Sequence, residues 1–328
     1  MTRTQAVLTT PSRLHFGLLR FAQPKGRSYG GVGLMIKAPR VVVRVATSPD
    51  WQVAGPQAER ASSVARRVVA SIPELNGERF SLYIEALPPL HSGLGVGTQL
   101  ALAIAQGMMA ACGLAAPRGS AKPQAAQAAL AAGRARRSAV GSHGFIHGGL
   151  IYEAGFLPGE QVGELVARTP LPEAWRVVLL RIATTAGISG TAETEAFARL
   201  PPPPASVSEQ LERLAADEII PGAQARDFGR FSEAVYQYGT LAGRCFESVQ
   251  GGPFATPEIA TAVGRLRELG SRGVGQSSWG PTIYAFCETE ADARQLVDRC
   301  QSDPLLSRAE HQVTEADNQG AQITRVST

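Results

Sequence analysis

Apolar and polar residues alternate along several segments in the first half of the chain. Residues 5–20, 41–45 and 80–86 follow the period of two that is typical of β-strands, and we expect Pro11 to break the first of these. Residues 58–72 follow the helical period and end at a proline. This half of the chain is therefore predicted to contain strands, a helix and a further strand, in that order.

The most informative stretch follows the strand at residues 80–86. Gly93, Gly95 and Gly97 occupy alternate positions and precede a run of helix-forming residues at 99–111. Glycine permits positive φ, and a helix that begins near Thr98 has unpaired N–H groups and a partial positive charge at its start. The stretch therefore predicts a phosphate site. It lacks the Gly-Lys-Ser/Thr of a Walker loop, and the alternative is a tight turn before a buried helix.

The helical and strand patterns resume in the second half of the chain. Strands are predicted at residues 176–182 and 322–326, and residues 273–287 form a second glycine-rich turn that leads into a strand. Helices are predicted at residues 191–198, 208–216, 228–249, 257–269 and 291–300.

A glycine- and histidine-rich segment lies between the two halves. An alanine-rich helix is predicted at residues 124–137, where arginines at the end of the helix would favour its dipole. Residues 138–155 follow and contain five glycines and two histidines, which is unusual for a connector. His143 and His147 are candidate ligands, acid–base groups or phosphate donors. Without nearby cysteines or carboxylates they form a poor metal site.

The content of charged residues indicates which class of binding partner the protein has. The net charge of +4 comes from 32 basic and 28 acidic residues spread along the chain, and nearly all the basic residues are arginine. Arginine suits phosphate and carboxylate recognition, although a compositional bias would also explain its excess. Because no basic tail is present, we expect anionic small molecules rather than nucleic acid as partners.

The cysteines and the hydropathy indicate the compartment. The four cysteines have neither CxxC nor metal-ligand spacing, so we expect them to be reduced. No apolar run approaches the length of a membrane span. The sequence therefore predicts a cytoplasmic protein without a membrane partner.

Three glycine-rich stretches, residues 13–18, 93–98 and 273–281, occur in an order that resembles the GHMP kinase superfamily. The likeness is greatest to a non-kinase branch, the β-ribofuranosylaminobenzene 5′-phosphate synthases of methanopterin biosynthesis. The resemblance implies an α+β fold of two domains. Residues 1–168 would form a mixed β/α domain with the phosphate loop, and residues 169–328 a ferredoxin-like α+β domain.

Departures from the kinase pattern favour the non-kinase branch. The kinases usually have two serines where this chain has Val96 and Gly97. Many of them also have an aspartate seven residues before the later Gly-Gly, which here corresponds to Gly141, and no acid lies between Ser138 and His147. A base for a hydroxyl nucleophile is thus missing at the expected position. An ATP-dependent small-molecule kinase remains the alternative function, and a phosphate-binding regulator is a third.

The resemblance implies a pentosyltransferase. Its reaction joins phosphoribosyl pyrophosphate to 4-aminobenzoate or 4-hydroxybenzoate through a C–C bond, with loss of pyrophosphate and carbon dioxide. It also implies Mg²⁺ with the pyrophosphate, no organic cofactor, and a homodimer.

The resemblance and the residue types together give candidate site residues. The predicted phosphate-binding residues are Ser92, Gly93, Leu94, Gly95, Val96, Gly97 and Thr98. The predicted substrate-binding residues are Arg13, Arg136, Arg137, Gln276, Ser277 and Ser278. The predicted catalytic residues, which would bond the para substituent of the ring or a phosphate oxygen, are His15, His143 and His147.

Simpler structural roles are the alternatives for several of these residues. Arg13 would then pair with a surface acid, Ser277 and Ser278 would be turn residues, and His15 would be a core histidine with its hydrogen bonds satisfied. Trp279 is predicted to pack between the domains rather than to stack on a substrate.

Overall fold

The computed structural model describes residues 4–21, 23, 25–114, 138–182 and 200–327. Within these residues a mixed sheet of seven strands is assembled. Its strands are β1 (Thr4–Leu18), β2 (Gly31–Thr47), β3 (Gln52–Ala54), β4 (Phe80–Ala86), β5 (Leu150–Glu153), β6 (Leu165–Thr169) and β11 (Gln322–Ser327). The order is β11-β1-β2-β4-β3, with β5 pairing with β2 and β6, and only β3 and β4 pair in parallel among these strands.

The first strand is longer than the sequence suggested. Pro11 does not break β1; the pairing with β2 instead shifts register between Thr10 and Ser12. A bulge accommodates the residue without an N–H and lets the ladder continue. The side chains of Leu14 and Phe16 on this strand are buried.

Three helices accompany this sheet: α1 (Ala58–Ser71), α2 (Val96–Ala111) and α3 (Val140–His147). Helix α2 is buried along almost its whole length and packs on β1 and β2, which explains why its sequence is apolar on every side. Helix α3 was not predicted, because its glycines suggested a loop. Gly144 lies against the Met35 side chain, where a Cβ would come within 2.2 Å of the sulfur.

The second sheet is antiparallel, and its four strands lie between residues 176 and 314. Its strands are β7 (Arg176–Arg181), β8 (Val274–Gln276), β9 (Thr282–Cys287) and β10 (Glu310–Thr314), in the order β10-β7-β9-β8. The helices described here are α4 (Ala205–Arg213), α5 (Ile220–Gln224), α6 (Phe228–Arg244), α7 (Glu247–Gln250), α8 (Pro257–Glu268) and α9 (Glu290–Ser302). This strand order is that of a ferredoxin-like sandwich, and the predicted α+β class is confirmed.

Several helix starts follow from their sequence. The Thr256 side chain accepts the N–H of Ile259 ahead of α8, and Thr289 and Asp292 form a capping box at α9. A π-helical segment (Leu214–Ile219) joins α4 to α5. The predicted helix at 228–249 is divided into α6 and α7. The helices predicted at 124–137 and 191–198 lie outside the described residues.

The two sheets meet around β1. The Phe16 ring lies 5.3 Å from that of Tyr284 on β9, and the Tyr238 hydroxyl of α6 donates to the carbonyl of Gly17 at 3.0 Å. As predicted, Trp279 is buried at this junction, against Phe246. The division at residues 168 and 169 stays a prediction; β11, from the second part of the chain, pairs with β1.

In the part of the chain that the structure describes, no helix combines the length and the apolar character needed to cross a membrane.

Candidate phosphate site at the start of helix α2

The loop before α2 presents its backbone to the surface. Gly93 and Gly95 have φ of 85° and 69°, in the left-handed region that favours glycine. Leu94 and Val96 direct their side chains into the core, whereas Gly93, Gly95 and Gly97 stay partly exposed. The accessible surface here is therefore backbone, without side chains that would keep an anion away from it.

Within the described residues, the first turn of α2 has N–H donors without a hydrogen-bond partner. Gly95 caps the helix without a side chain, and its carbonyl accepts the N–H groups of Thr98 and Gln99 at 3.0 and 3.1 Å. The N–H groups of Val96 and Gly97 precede any intrahelical acceptor. No acidic residue lies in this turn. The helix dipole and these donors together favour a bound anion, as the sequence predicted.

The three glycine-rich stretches meet at this loop. The Ser277 hydroxyl accepts the N–H of His15 at 3.0 Å and donates to the carbonyl of Gly93 at 2.8 Å. The N–H of Arg13 donates to the carbonyl of Leu94 at 2.9 Å. One serine hydroxyl thus links all three stretches.

Close backbone contact makes glycine necessary at two positions. A Cβ on Gly93 would lie 2.2 Å from the carbonyl oxygen of Ser277, and a Cβ on Gly280 would lie 2.2 Å from the nitrogen of Gly93. Neither neighbouring atom belongs to a flexible side chain. The position of the phosphate loop therefore depends on the late stretch of the chain.

Replacing Ser277 with alanine is expected to destabilise the protein by about 1–3 kcal/mol, because the buried N–H of His15 and the partly buried carbonyl of Gly93 lose their partner. Ser278→Ala is the matched control. Its side chain is exposed, and its N–H bonds the His15 carbonyl with or without the hydroxyl. Urea unfolding of both variants checks the prediction, and equal stability of the two would contradict it.

Arg13 lies beside the start of α2. A Cβ on Gly95 would be 3.2 Å from Nε and 3.6 Å from Cζ of Arg13, so the guanidinium group packs against this glycine. It adds positive charge to that of the helix start. Gln276, in contrast, uses its side chain within the protein: Oε1 accepts the N–H of Ala255 and Nε2 donates to the carbonyl of Gly280. Gln276 thus shapes the late stretch.

His15 is buried behind the loop. Its Nε2 lies 3.0 Å from the Ser138 hydroxyl. Burial, with a smaller effect from the charge of Arg13, lowers the pKa of His15 well below its usual value. The imidazole is therefore neutral at pH 7. Its burial and its hydrogen bond to Ser138 agree with the alternative of a core histidine with satisfied bonds, and its catalytic role stays a prediction.

That acid, Glu153, was not anticipated. Its carboxylate accepts the N–H groups of Ala139 at 3.0 Å and Gly155 at 2.9 Å, and it also bonds the Ser138 hydroxyl. Burial raises its pKa to about 7 against the effect of these hydrogen bonds. No acid lies between Ser138 and His147, whereas this one lies on β5. The signal in the sequence was a glutamate at the end of an apolar strand.

The other two histidines lie elsewhere on α3. His143 Nε2 donates to the carbonyl of Gly163 at 2.7 Å, and burial lowers the pKa of His143. His147 is at the opposite end of the helix from Val140, about 10 Å along the axis, and Arg168 bonds its carbonyl. The structure does not bring His147 to the phosphate loop. Their catalytic roles stay predictions. Arg136 and Arg137 lie outside the described residues.

Among the described residues, no three His, Cys, Asp or Glu side chains are grouped so as to hold a metal ion. The loop does contain the hydroxyl of Ser92, which is buried and has no hydrogen-bond partner in the described part of the chain. Hydroxyl and phosphate oxygens are ligands that Mg²⁺ accepts.

The fold is that of the GHMP kinases. The structure is similar to homoserine kinase from Cytophaga hutchinsonii, with a TM-score of 0.66 and 14% identity over 98% of this chain and 97% of that one. Mevalonate diphosphate decarboxylase from Staphylococcus aureus gives a TM-score of 0.66 and 13% identity over 98% of both chains. The family model for the GHMP kinases C terminal matches residues 219–304.

Within this fold, the chain is similar in sequence to β-ribofuranosylphenol 5′-phosphate synthases. The Methanothermobacter thermautotrophicus enzyme is 29% identical over 87% of this chain and 89% of its own length. The Archaeoglobus fulgidus enzyme is 28% identical over 96% of this chain and 98% of its own length. These relatives confirm the resemblance predicted from the glycine-rich stretches, together with the predicted enzyme class.

Proposed function

We propose that this protein is a decarboxylating ribosyltransferase that joins phosphoribosyl pyrophosphate to a 4-substituted benzoate. The observation that carries the proposal is the start of α2, which has no side-chain cap and lies next to Arg13 and His15. The names of the curated relatives, which specify a ribofuranosyl 5′-phosphate product, support it. The reaction would supply an early intermediate of a methanopterin-type C1 carrier.

The reaction needs stabilisation of a leaving diphosphate. The C1–O bond of the sugar breaks and its electron pair leaves with the diphosphate. The ring carbon that bears the carboxylate attacks C1, and the bond to the carboxylate then breaks, returning its pair to the ring as carbon dioxide departs. The N–H groups of Val96 and Gly97 and the guanidinium of Arg13 are fitted to the diphosphate.

Mg²⁺ is part of the proposal. The described residues lack a carboxylate cluster, so an ion would be held mainly by diphosphate oxygens and water, with the Ser92 and Thr98 hydroxyls as protein donors. Bound there, it would neutralise charge on the leaving group.

The acceptor is proposed to be 4-hydroxybenzoate rather than 4-aminobenzoate, because the curated relatives are named for a phenol product. Both rings are activated at the same carbon by the para substituent. A competition assay with the two acids at equal concentration separates them.

The direct test uses phosphoribosyl pyrophosphate, Mg²⁺ and each benzoate labelled in its carboxyl group. Labelled carbon dioxide released in step with pyrophosphate is the expected result. Consumption of ATP with an alcohol substrate, without release of label, would instead establish the kinase alternative. Phosphate binding without either reaction would establish the regulator.

A homodimer in the cytoplasm is also proposed. Light scattering of the purified protein tests the oligomeric state, for which the expected mass is twice that of the 34.5 kDa chain.

A further inference from the structure

We propose that Ser138 and Glu153 are positioning residues that hold the His15 imidazole as the tautomer protonated on Nε2. The three side chains form one hydrogen-bond chain, His15–Ser138–Glu153, directly behind the phosphate loop. The tautomer follows from the hydrogen-bond geometry together with an ionised Glu153; its catalytic consequence rests on the proposed function.

The direction of the hydrogen bonds determines the tautomer. An ionised carboxylate only accepts, so the Ser138 hydroxyl must donate its single proton to Glu153. The Ser138 oxygen also accepts the N–H of Val140 at 3.2 Å. It can therefore only accept from His15 Nε2 at 3.0 Å, which requires the imidazole proton to be on Nε2. Nδ1 is then the unprotonated nitrogen of the ring, and its lone pair can accept a proton or a hydrogen bond.

The position of Glu153 is itself well determined. Both of its carboxylate oxygens accept backbone N–H groups, from Ala139 and Gly155. The side chain is fully buried. The hydrogen-bond chain therefore begins at a group that cannot rotate away, and this orients the imidazole at its other end.

In the proposed reaction, this tautomer would take the proton from the para hydroxyl. The O–H proton moves to Nδ1 while the ring carbon attacks the sugar, and the imidazolium that forms is stabilised by Glu153 through Ser138. When carbon dioxide leaves and the ring becomes aromatic again, the same proton returns to the phenol oxygen. No oxidant or further reactant is needed.

Nitrogen NMR of the histidine rings tests the tautomer without any reaction. At pH 8, where Glu153 is ionised, the His15 ring of the full-length protein should show a proton on Nε2. In Ser138→Ala this preference should be lost. His143 is an internal control, because its Nε2 donates to the Gly163 carbonyl and should not change in the variant. A His15 proton on Nδ1, or an unchanged Nε2 tautomer in Ser138→Ala, would overturn the proposal.

Kinetics test the catalytic consequence. Ser138→Ala should lower kcat about 10²-fold, in the range of acid–base contributions, with little change in KM for phosphoribosyl pyrophosphate. Ser232→Ala is the control, since it removes a fully buried hydroxyl whose hydrogen bond, among the described residues, is to the carbonyl of Gly229 in its own helix. An unchanged kcat would refute the catalytic role. A wild-type protein that releases no label would refute the proposed function, while the NMR result stands independently.

Discussion

Replacing Gly93 with alanine is expected to destabilise the protein by about 2–5 kcal/mol and to remove most of its affinity for phosphoribosyl pyrophosphate. Two costs add. An L-residue at φ of 85° costs about 1–2 kcal/mol, and a Cβ placed 2.2 Å from the Ser277 carbonyl forces about 1–3 kcal/mol of overpacking. Relief of that overlap displaces the loop that presents the amides of α2, and displacements near 1 Å cost about 10²-fold in rate.

The chain offers a control for the first of these costs. Gly77 also has φ of 85°, but no atom lies within 4 Å of its added Cβ. Gly77→Ala should therefore lose only about 1–2 kcal/mol and keep full activity. Urea unfolding and kcat/KM of the two variants separate backbone strain from overlap. If both variants behaved alike, the contact between Gly93 and Ser277 would have no importance for the site.

Replacing Glu153 with glutamine is expected to change how stability depends on pH. Burial raises the pKa of Glu153 from 4.5 to about 7, so the folded protein binds a proton that the unfolded chain has released. The contribution of Glu153 to the free energy of unfolding is therefore full at acidic pH and is lost as pH rises from about 4.5 to 7. The loss is on the order of 3 kcal/mol. Arg20, Tyr152 and Tyr238 are the other titratable groups that interact with this carboxyl.

The comparison with Glu153→Gln isolates this effect. His143 has a lowered pKa and contributes in the opposite sense, but it is present in both proteins and its contribution cancels in the comparison. Urea unfolding measures the free energy of unfolding of both proteins at pH 5 and pH 8. The value for the wild type minus that for Glu153→Gln should fall by about 2–3 kcal/mol from pH 5 to pH 8. If this difference in free energy of unfolding stayed constant or grew as pH rises, the pKa of Glu153 would not be raised.

Local sequence patterns predicted the helices and strands correctly where neighbouring residues determine the structure. The strand at residues 80–86 and the start of α8 at Pro257 agree with the predictions, because alternation and capping are local properties. Helix α2 begins at Val96, two residues before the predicted start, because Gly95 in the left-handed region already serves as its cap. The α+β class was likewise predicted correctly.

The features that were missed depend on contacts between distant parts of the chain. Ser277 bonds His15 across 262 positions, so its linking role was not apparent from a turn motif. In helix α3, Gly144 lets the helix pack closely against Met35, a contact that the sequence does not show. Glu153 was not predicted because the kinase pattern places an acid before Gly148, whereas the buried acid follows Gly148 on β5.

The most direct test of this account is a crystal structure with phosphoribosyl pyrophosphate and Mg²⁺ bound. The account predicts the diphosphate within hydrogen-bond distance of the amides of Val96 and Gly97, with the Arg13 guanidinium group on the same ligand. A diphosphate bound elsewhere, with the start of α2 empty, would contradict it.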